Sequence, residues 1–146
     1  MIDISNNTIT TANALLYKVE DDRTVFLLVQ ENDSNWGLPG GAKDVEDKNL
    51  QFTIQRELKE ELGLEQSDYV LRETEVKREF EYNHFQSSRF GKHGVVCFYL
   101  AQLKDTAELR VSDELINIVW LEKETAIPKL RFDYIKDGFR EASGLI

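Results

Sequence analysis

The chain has 146 residues, 27 acidic against 18 basic side chains, a net charge of −9 and a single cysteine. That length supports one domain, taken here as residues 1–146, with a real hydrophobic core. No apolar run approaches the roughly 20 residues that cross a bilayer, which excludes a membrane partner, and the acid excess repels polyphosphate backbones and argues against stable nucleic-acid binding. Met1-Ile2-Asp3-Ile4 opens a polar, acidic segment unlike a signal peptide, so a cytoplasmic chain is expected. Cys97, between Val96 and Phe98, reads as a small core residue rather than a catalytic thiol.

In chain order, Thr8 to Val19 and Thr24 to Gln30 are β-rich runs across the polar turn Glu20-Asp21-Asp22-Arg23, which predicts a hairpin. The second run, Val25-Phe26-Leu27-Leu28-Val29, is continuously apolar and predicts a central strand covered on both faces. Asn32 to Asn35 is a loop by composition, and it leads into Trp36-Gly37-Leu38-Pro39-Gly40-Gly41. Paired glycines permit close backbone approach, so a carbonyl or amide can be presented there. A helix then runs from an Asn49 cap to Gly63. Tyr69 to Tyr82 alternates, with Thr74, Val76, Arg78, Phe80 and Tyr82 on one face and Glu75, Lys77, Glu79 and Glu81 on the other: a half-exposed strand.

The polar loop from Asn83 to His93 follows, and Gly94 to Gln102 returns as a buried strand. With its flanks the loop gathers Arg78, His84, Arg89, Lys92 and His93, a local basic cluster in an acidic chain. As a solvated hairpin tip it needs no function; as a site it suits phosphate or ribose, with Phe85 or Phe90 to stack on a base. Two histidines at that spacing are a weak zinc signal. A short edge strand is expected at Leu109-Arg110-Val111 and another strand at Ile116 to Leu121, with Glu114 able to supply an acid from the preceding loop. Ile127-Pro128 is expected to open a C-terminal helix whose Phe132, Ile135 and Phe139 share a core-covering face.

The helix holds the chemistry. In Arg56-Glu57-Leu58-Lys59-Glu60-Glu61-Leu62-Gly63-Leu64, positions three and four apart share a face, so Glu57, Glu60 and Glu61 crowd one patch beside the apolar stripe Ile54, Leu58 and Leu62. A Glu-rich helix is commonly a solvated face. Here Glu57 meets Glu61 at four residues, and only Arg56 reaches back to Glu60. A divalent cation resolves such crowding, because hard ions such as Mg²⁺ take carboxylate oxygens together with waters and substrate phosphates.

Gly41 to Leu64 resembles the signature of the Nudix (MutT-like) hydrolases, G-x5-E-x7-R-E-U-x-E-E-x-G-U with U a bulky aliphatic. Arg56 through Leu64 match its second half at every specified position, and Trp36 to Gly41 looks like the family's lead-in. The first half departs: Asp47 stands where the family has Glu, and one extra residue separates it from Arg56. In the family this acid mainly supports the arginine, a role left to Asp47 or to Glu46. Gln30-Glu31 also lies where relatives often carry a substrate-holding arginine, which leaves Arg78, Arg89 and Phe85 as candidate substrate contacts.

The resemblance implies an α/β/α sandwich around a mixed central sheet. It implies hydrolysis of the pyrophosphate linkage in a nucleoside diphosphate joined to a nucleotide, sugar or phosphate. By resemblance Glu57, Glu60 and Glu61 hold Mg²⁺ or Mn²⁺, the Gly41 carbonyl adds a ligand and Arg56 orients helix and loop. The general base falls to a helix glutamate or to Glu114. The implied partner is a small nucleoside diphosphate derivative, with a homodimer compatible. Two other readings stay open: a Nudix-fold module that senses a nucleotide without cleaving it, motivated by the altered loop, and an RNA 5′-end pyrophosphohydrolase, for which the basic loop gives thin support.

Overall fold

In the expected hairpin, β1 (Thr8–Glu20) and β2 (Arg23–Gln30) run antiparallel from Tyr17 opposite Phe26 to Glu20 opposite Arg23. Asp21 and Asp22 both take positive φ, 52° and 65°, the backbone that a two-residue turn needs to match strand twist and that Asp tolerates better than most side chains. This computed structural model describes residues 8–82 and 88–146.

The other edge of β1 pairs in parallel with β6 (His93–Leu103), which in turn pairs antiparallel with β5 (Tyr69–Glu81). The sheet runs β3-β2-β1-β6-β5, where β3 is Trp36–Gly37; β4 (Gly40–Ala42) joins β1, and β7 (Asn117–Leu121) joins β2. Parallel and antiparallel pairs coexist, so the sheet is mixed.

Side chains alternate across a strand, and here both faces are covered. Leu15, Tyr17, Phe26, Leu28, Phe98 and Leu100 pack with Ala126 of α2 (Lys123–Lys129) and Ile135 and Phe139 of α3 (Asp133–Ser143). Ala14, Leu16, Leu27, Val29 and Tyr99 pack with Ile54, Leu58 and Leu62 of α1 (Leu50–Leu62). The result is the expected α/β/α sandwich, and it explains why β2 reads as one apolar run. β5 closes the sheet on one side with half of its surface in solvent, and from Thr74 to Tyr82 its burial alternates as expected.

The ends of α1 match the sequence expectation. Asn49 accepts from the Phe52 amide at 2.8 Å, and Gly63 adopts the left-handed cap, donating to the Lys59 carbonyl at 2.9 Å. Leu109-Arg110-Val111 forms no strand. Instead the Arg110 and Ser112 amides donate to the Leu62 and Glu61 carbonyls, both at 2.8 Å, so the segment satisfies acceptors that the helix end leaves open.

The C-terminal region is two helices rather than one. Pro128 lies in the last turn of α2, which its missing N–H deprives of a hydrogen bond; the chain turns extended at Leu130 and α3 begins only at Asp133. Ile135 and Phe139 are buried as expected, whereas Phe132 caps α3 and stays exposed. Gly138 brings α3 onto the sheet: a β-carbon there would lie 2.1 Å from the Phe98 ring. Among the described residues no helix is long and apolar enough to cross a membrane.

Candidate functional site

With Ile54, Leu58 and Leu62 fully buried, α1 can rotate in only one way against the sheet, and that aims Glu57 and Glu61 at the Gly40-Gly41 turn. Glu61 is 6% exposed, and its Oε1 accepts from the Gly40 amide at 3.2 Å. Its Oε2 is buried without a donor. The nearest acidic group is the Glu57 carboxyl, which repels it unless the two share a proton. Burial, reinforced by Glu57, pushes the Glu61 carboxyl up to about 9, and burial also raises Glu57. A β-carbon on Gly41 would sit 2.3 Å from Glu57 Oε1, so only glycine lets this carboxylate lie against the turn.

Arg56 ties the site together. Its Nε and Nη2 donate to the two oxygens of Asp47, each at 3.0 Å, and Nη1 donates to Glu57 at 3.1 Å and Glu60 at 3.2 Å. Asp47 is buried and also accepts from the Asp44 amide and the Thr53 hydroxyl, both at 2.9 Å. These hydrogen bonds, Arg56 first among them, hold its carboxyl well below the usual carboxylate range. Of the two acids left open by the sequence, Asp47 reaches the arginine and Glu46 is exposed. Asp44 adds an ion pair to Arg56 at 3.4 Å.

Glu57 and Glu61 line a pocket with Glu31, Asp33, Gly40 and Glu114, the loop acid singled out in the sequence. Glu60 is not among the residues that line this pocket; it is half exposed and paired with Arg56. Among the described residues no three acids, histidines or cysteines converge on one metal position, since Arg56 draws the Glu57 and Glu60 oxygens to itself. The donor chemistry nevertheless fits a hard divalent ion: all oxygen, one buried carboxylate oxygen without a donor, and more negative charge than Arg56 neutralises.

A second cleft of about 280 Å³ adjoins this pocket and shares Glu31, Asp33 and Gly40 with it. Its walls are aromatic. Phe80 stacks on Tyr134 with centroids 4.2 Å apart, Phe132 stacks on Tyr134 at 5.2 Å, and Trp36 and Tyr82 complete the lining. Asn13 and Thr11 of β1 supply polar groups, and Arg89 and Arg131 supply charge. Arg89 donates to the Tyr82 hydroxyl at 3.3 Å, and Arg131 pairs with Asp33 at 3.3 Å.

Arg78 is not among the residues that line the cleft, and its guanidinium pairs with Glu141 of α3 at 2.7 Å. One sequence expectation is corrected here. Phe132, expected as core cover, is a cleft wall. Phe85 lies outside the described residues, and Phe90 does not line the cleft. Sequence reasoning missed Tyr134, Arg131, Trp36 and Asn13 as site residues; Phe132 and Tyr134 were hidden by the misplaced helix start. Cys97 is half-buried, and burial pushes its thiol up, away from reactivity.

The family model of the NUDIX domain matches residues 9–141. The chain belongs to this family. Hydrolases of the Nudix family generally depend on divalent metal. A curated relative, the U8 snoRNA-decapping enzyme of Xenopus laevis, is 33% identical over 98 residues, covering 65% of this chain and 42% of the relative. The chain thus matches under half the length of that protein. Among solved structures, the Ap4A hydrolase of C. elegans in a binary complex superposes with a TM-score of 0.79 at 23% identity, covering 94% of this chain and 96% of that one. The dihydroneopterin triphosphate pyrophosphohydrolase of E. coli superposes with a TM-score of 0.77 at 16% identity, covering 90% and 92%. At these identities the superpositions establish the Nudix fold.

Proposed function

We propose that this Nudix protein is a metal-dependent pyrophosphohydrolase that cleaves the linkage in a nucleoside diphosphate joined to another nucleotide, sugar or phosphate. The observation that carries this reading is the junction of an aromatic cleft with a carboxylate pocket through Gly40, Glu31 and Asp33. A flat base fits between stacked aromatic walls, and the pyrophosphate then falls beside α1. Glu57, Glu60 and Glu61, with the Gly41 carbonyl, are the proposed ligands of Mg²⁺ or Mn²⁺. When bound there, the ion supplies positive charge against the phosphates and makes water a better nucleophile at neutral pH. Arg56 orients the glutamates while Asp47 holds Arg56. Glu114, which lines the pocket with Glu57 and Glu61, or a helix glutamate accepts the proton of the attacking water.

The related proteins named above act, by their names, on a dinucleoside polyphosphate, a pterin triphosphate and a capped RNA. Phosphoanhydride cleavage is common to these names and supports the reaction class. The snoRNA-decapping relative favours an RNA 5′ end as a second reading, against which the net charge of −9 weighs.

A panel of nucleoside diphosphate derivatives and triphosphorylated or capped RNA, assayed with Mg²⁺ and Mn²⁺ and with product identification, tests the proposal. Glu60→Gln or Glu61→Gln should each lower turnover at least about a hundredfold, while exposed Lys59→Gln is nearly silent. Unchanged turnover in both glutamate variants removes the metal assignment. Binding without hydrolysis across the panel would favour a nucleotide sensor.

A further inference from the structure

We propose that Glu31 is the sugar-reading residue of this site and that it makes the chain selective for ribonucleotides with a free 2′,3′-diol over 2′-deoxyribonucleotides. The inference rests on the reading of the two clefts given above. A nucleotide is a base, a sugar and phosphates in fixed order. With the base between the aromatic walls and the phosphates beside α1, the sugar must cross the junction. Three residues line both compartments: Gly40, Asp33 and Glu31. Gly40 has no side chain, and its amide is taken by Glu61. Asp33 is occupied, accepting from the Asn35 amide at 3.0 Å and pairing with Arg131.

Glu31 is different. Its backbone closes the loop, the amide donating to the Asn35 carbonyl and the carbonyl accepting from the Ser34 amide, while its carboxylate has no cation or donor among the described residues. The loop therefore fixes where the side chain starts and leaves its oxygens unspent. Asp33 and Glu61 are its acidic neighbours, and among the described residues no cation competes with a ligand hydroxyl for its oxygens.

Charge decides what it can touch. A carboxylate at this point repels phosphate oxygens and base carbonyls but accepts hydrogen bonds from hydroxyls. A ribose cis-diol offers two donors that one carboxylate can take together; a 2′-deoxyribose offers one. Carboxylates bind ribose hydroxyls in this way in dinucleotide folds. Losing one hydrogen bond to a charged acceptor corresponds to roughly a tenfold loss in binding, reduced towards the lower end by the exposure of Glu31.

The test measures kcat/KM for matched pairs, ATP with dATP, GTP with dGTP and UTP with dUTP, for the native chain, Glu31→Ala and Glu31→Gln, with melting temperatures to confirm folding. The native chain should prefer the ribonucleotide about tenfold, mostly through KM. Glu31→Ala should bring the ratio near one by weakening the ribonucleotide, which loses two hydrogen bonds, more than the deoxyribonucleotide, which loses one, with the Mg²⁺ requirement unchanged. Glu31→Gln, which keeps an acceptor oxygen, should be intermediate. A native ratio near one, or a ratio that survives Glu31→Ala, overturns the proposal. So does an equal loss on both sugars with a raised Mg²⁺ requirement, which would make Glu31 a metal ligand. If no pair is hydrolysed, the proposed reaction fails for these substrates. The sugar assignment is then judged on its own by titrating the same pairs against the tryptophan fluorescence of a Trp120→Phe background, which reports Trp36 of the cleft. Tighter ribonucleotide binding lost in Glu31→Ala upholds it, and equal binding or none overturns it.

Discussion

Glu61 carries a conflict that a single residue can reveal. A buried carboxyl raised to about 9 holds a proton in the native state at pH values where the unfolded chain has lost it. The contribution of Glu61 to the stability of the metal-free protein is therefore greatest below the ordinary carboxylate value of 4.5, and it falls as pH rises towards 9. Glu61→Gln keeps the shape without the charge. It should flatten this decline and melt higher than the native chain at pH 8.5 without metal, while losing turnover. Added Mg²⁺ should raise the native melting temperature more at pH 8.5 than at pH 6. Melting curves across pH, with and without Mg²⁺, check both. A native chain whose metal-free stability rises from pH 5 to 9 would remove this account. Asp47 has the opposite sign. Its depressed carboxyl contributes stability that is present above the ordinary range and lost as acid takes pH through the lowered native value. Asp47→Asn should thus cost stability at pH 7 and much less near pH 2. It should also lower kcat more than it raises KM, since it frees the arginine that orients Glu57 and Glu60.

Among the elements, α1 was legible to the residue because local signals agree: a cap at Asn49, a left-handed glycine at Gly63 and a four-residue apolar spacing between them. The hairpin was equally clear, since Asp21-Asp22 separates two β-rich runs. The acids of the candidate site follow from α1 alone. The aromatic cleft does not, because it joins β1, β3, β5 and the start of α3, and only the folded sheet brings Asn13, Trp36, Phe80 and Tyr134 together. Ile127-Pro128 misled for a physical reason: proline suits the first turn of a helix but also occurs near the end of a short one, and the sequence around it fits both. Leu109 to Val111 has strand-like residues whose amides are claimed by the end of α1 instead. The close approach of α3 was likewise invisible until Phe98 was seen against Gly138. Gly138→Ala should destabilise by about 1–3 kcal/mol through overpacking, read as a lower urea midpoint with unchanged slope. Because α3 begins with the cleft wall, KM should rise as well.

At the scale of the whole molecule, the acidic surface separates the two substrate readings. A net charge of −9 makes the protein and an RNA backbone repel each other at long range, and the described residues place only Arg89 and Arg131 in the cleft, each with a protein partner. An RNA-binding surface that neutralises several phosphates releases counterions and gives a salt slope of about −0.7 per phosphate contact. A small nucleotide held by stacking and by an ion on α1 needs few such contacts. Raising KCl from 50 to 300 mM at fixed free Mg²⁺ should therefore change kcat/KM on free nucleotides by less than about threefold. Triphosphorylated RNA should be a poor substrate at every salt concentration. A steep salt slope together with efficient RNA turnover would reverse this ranking.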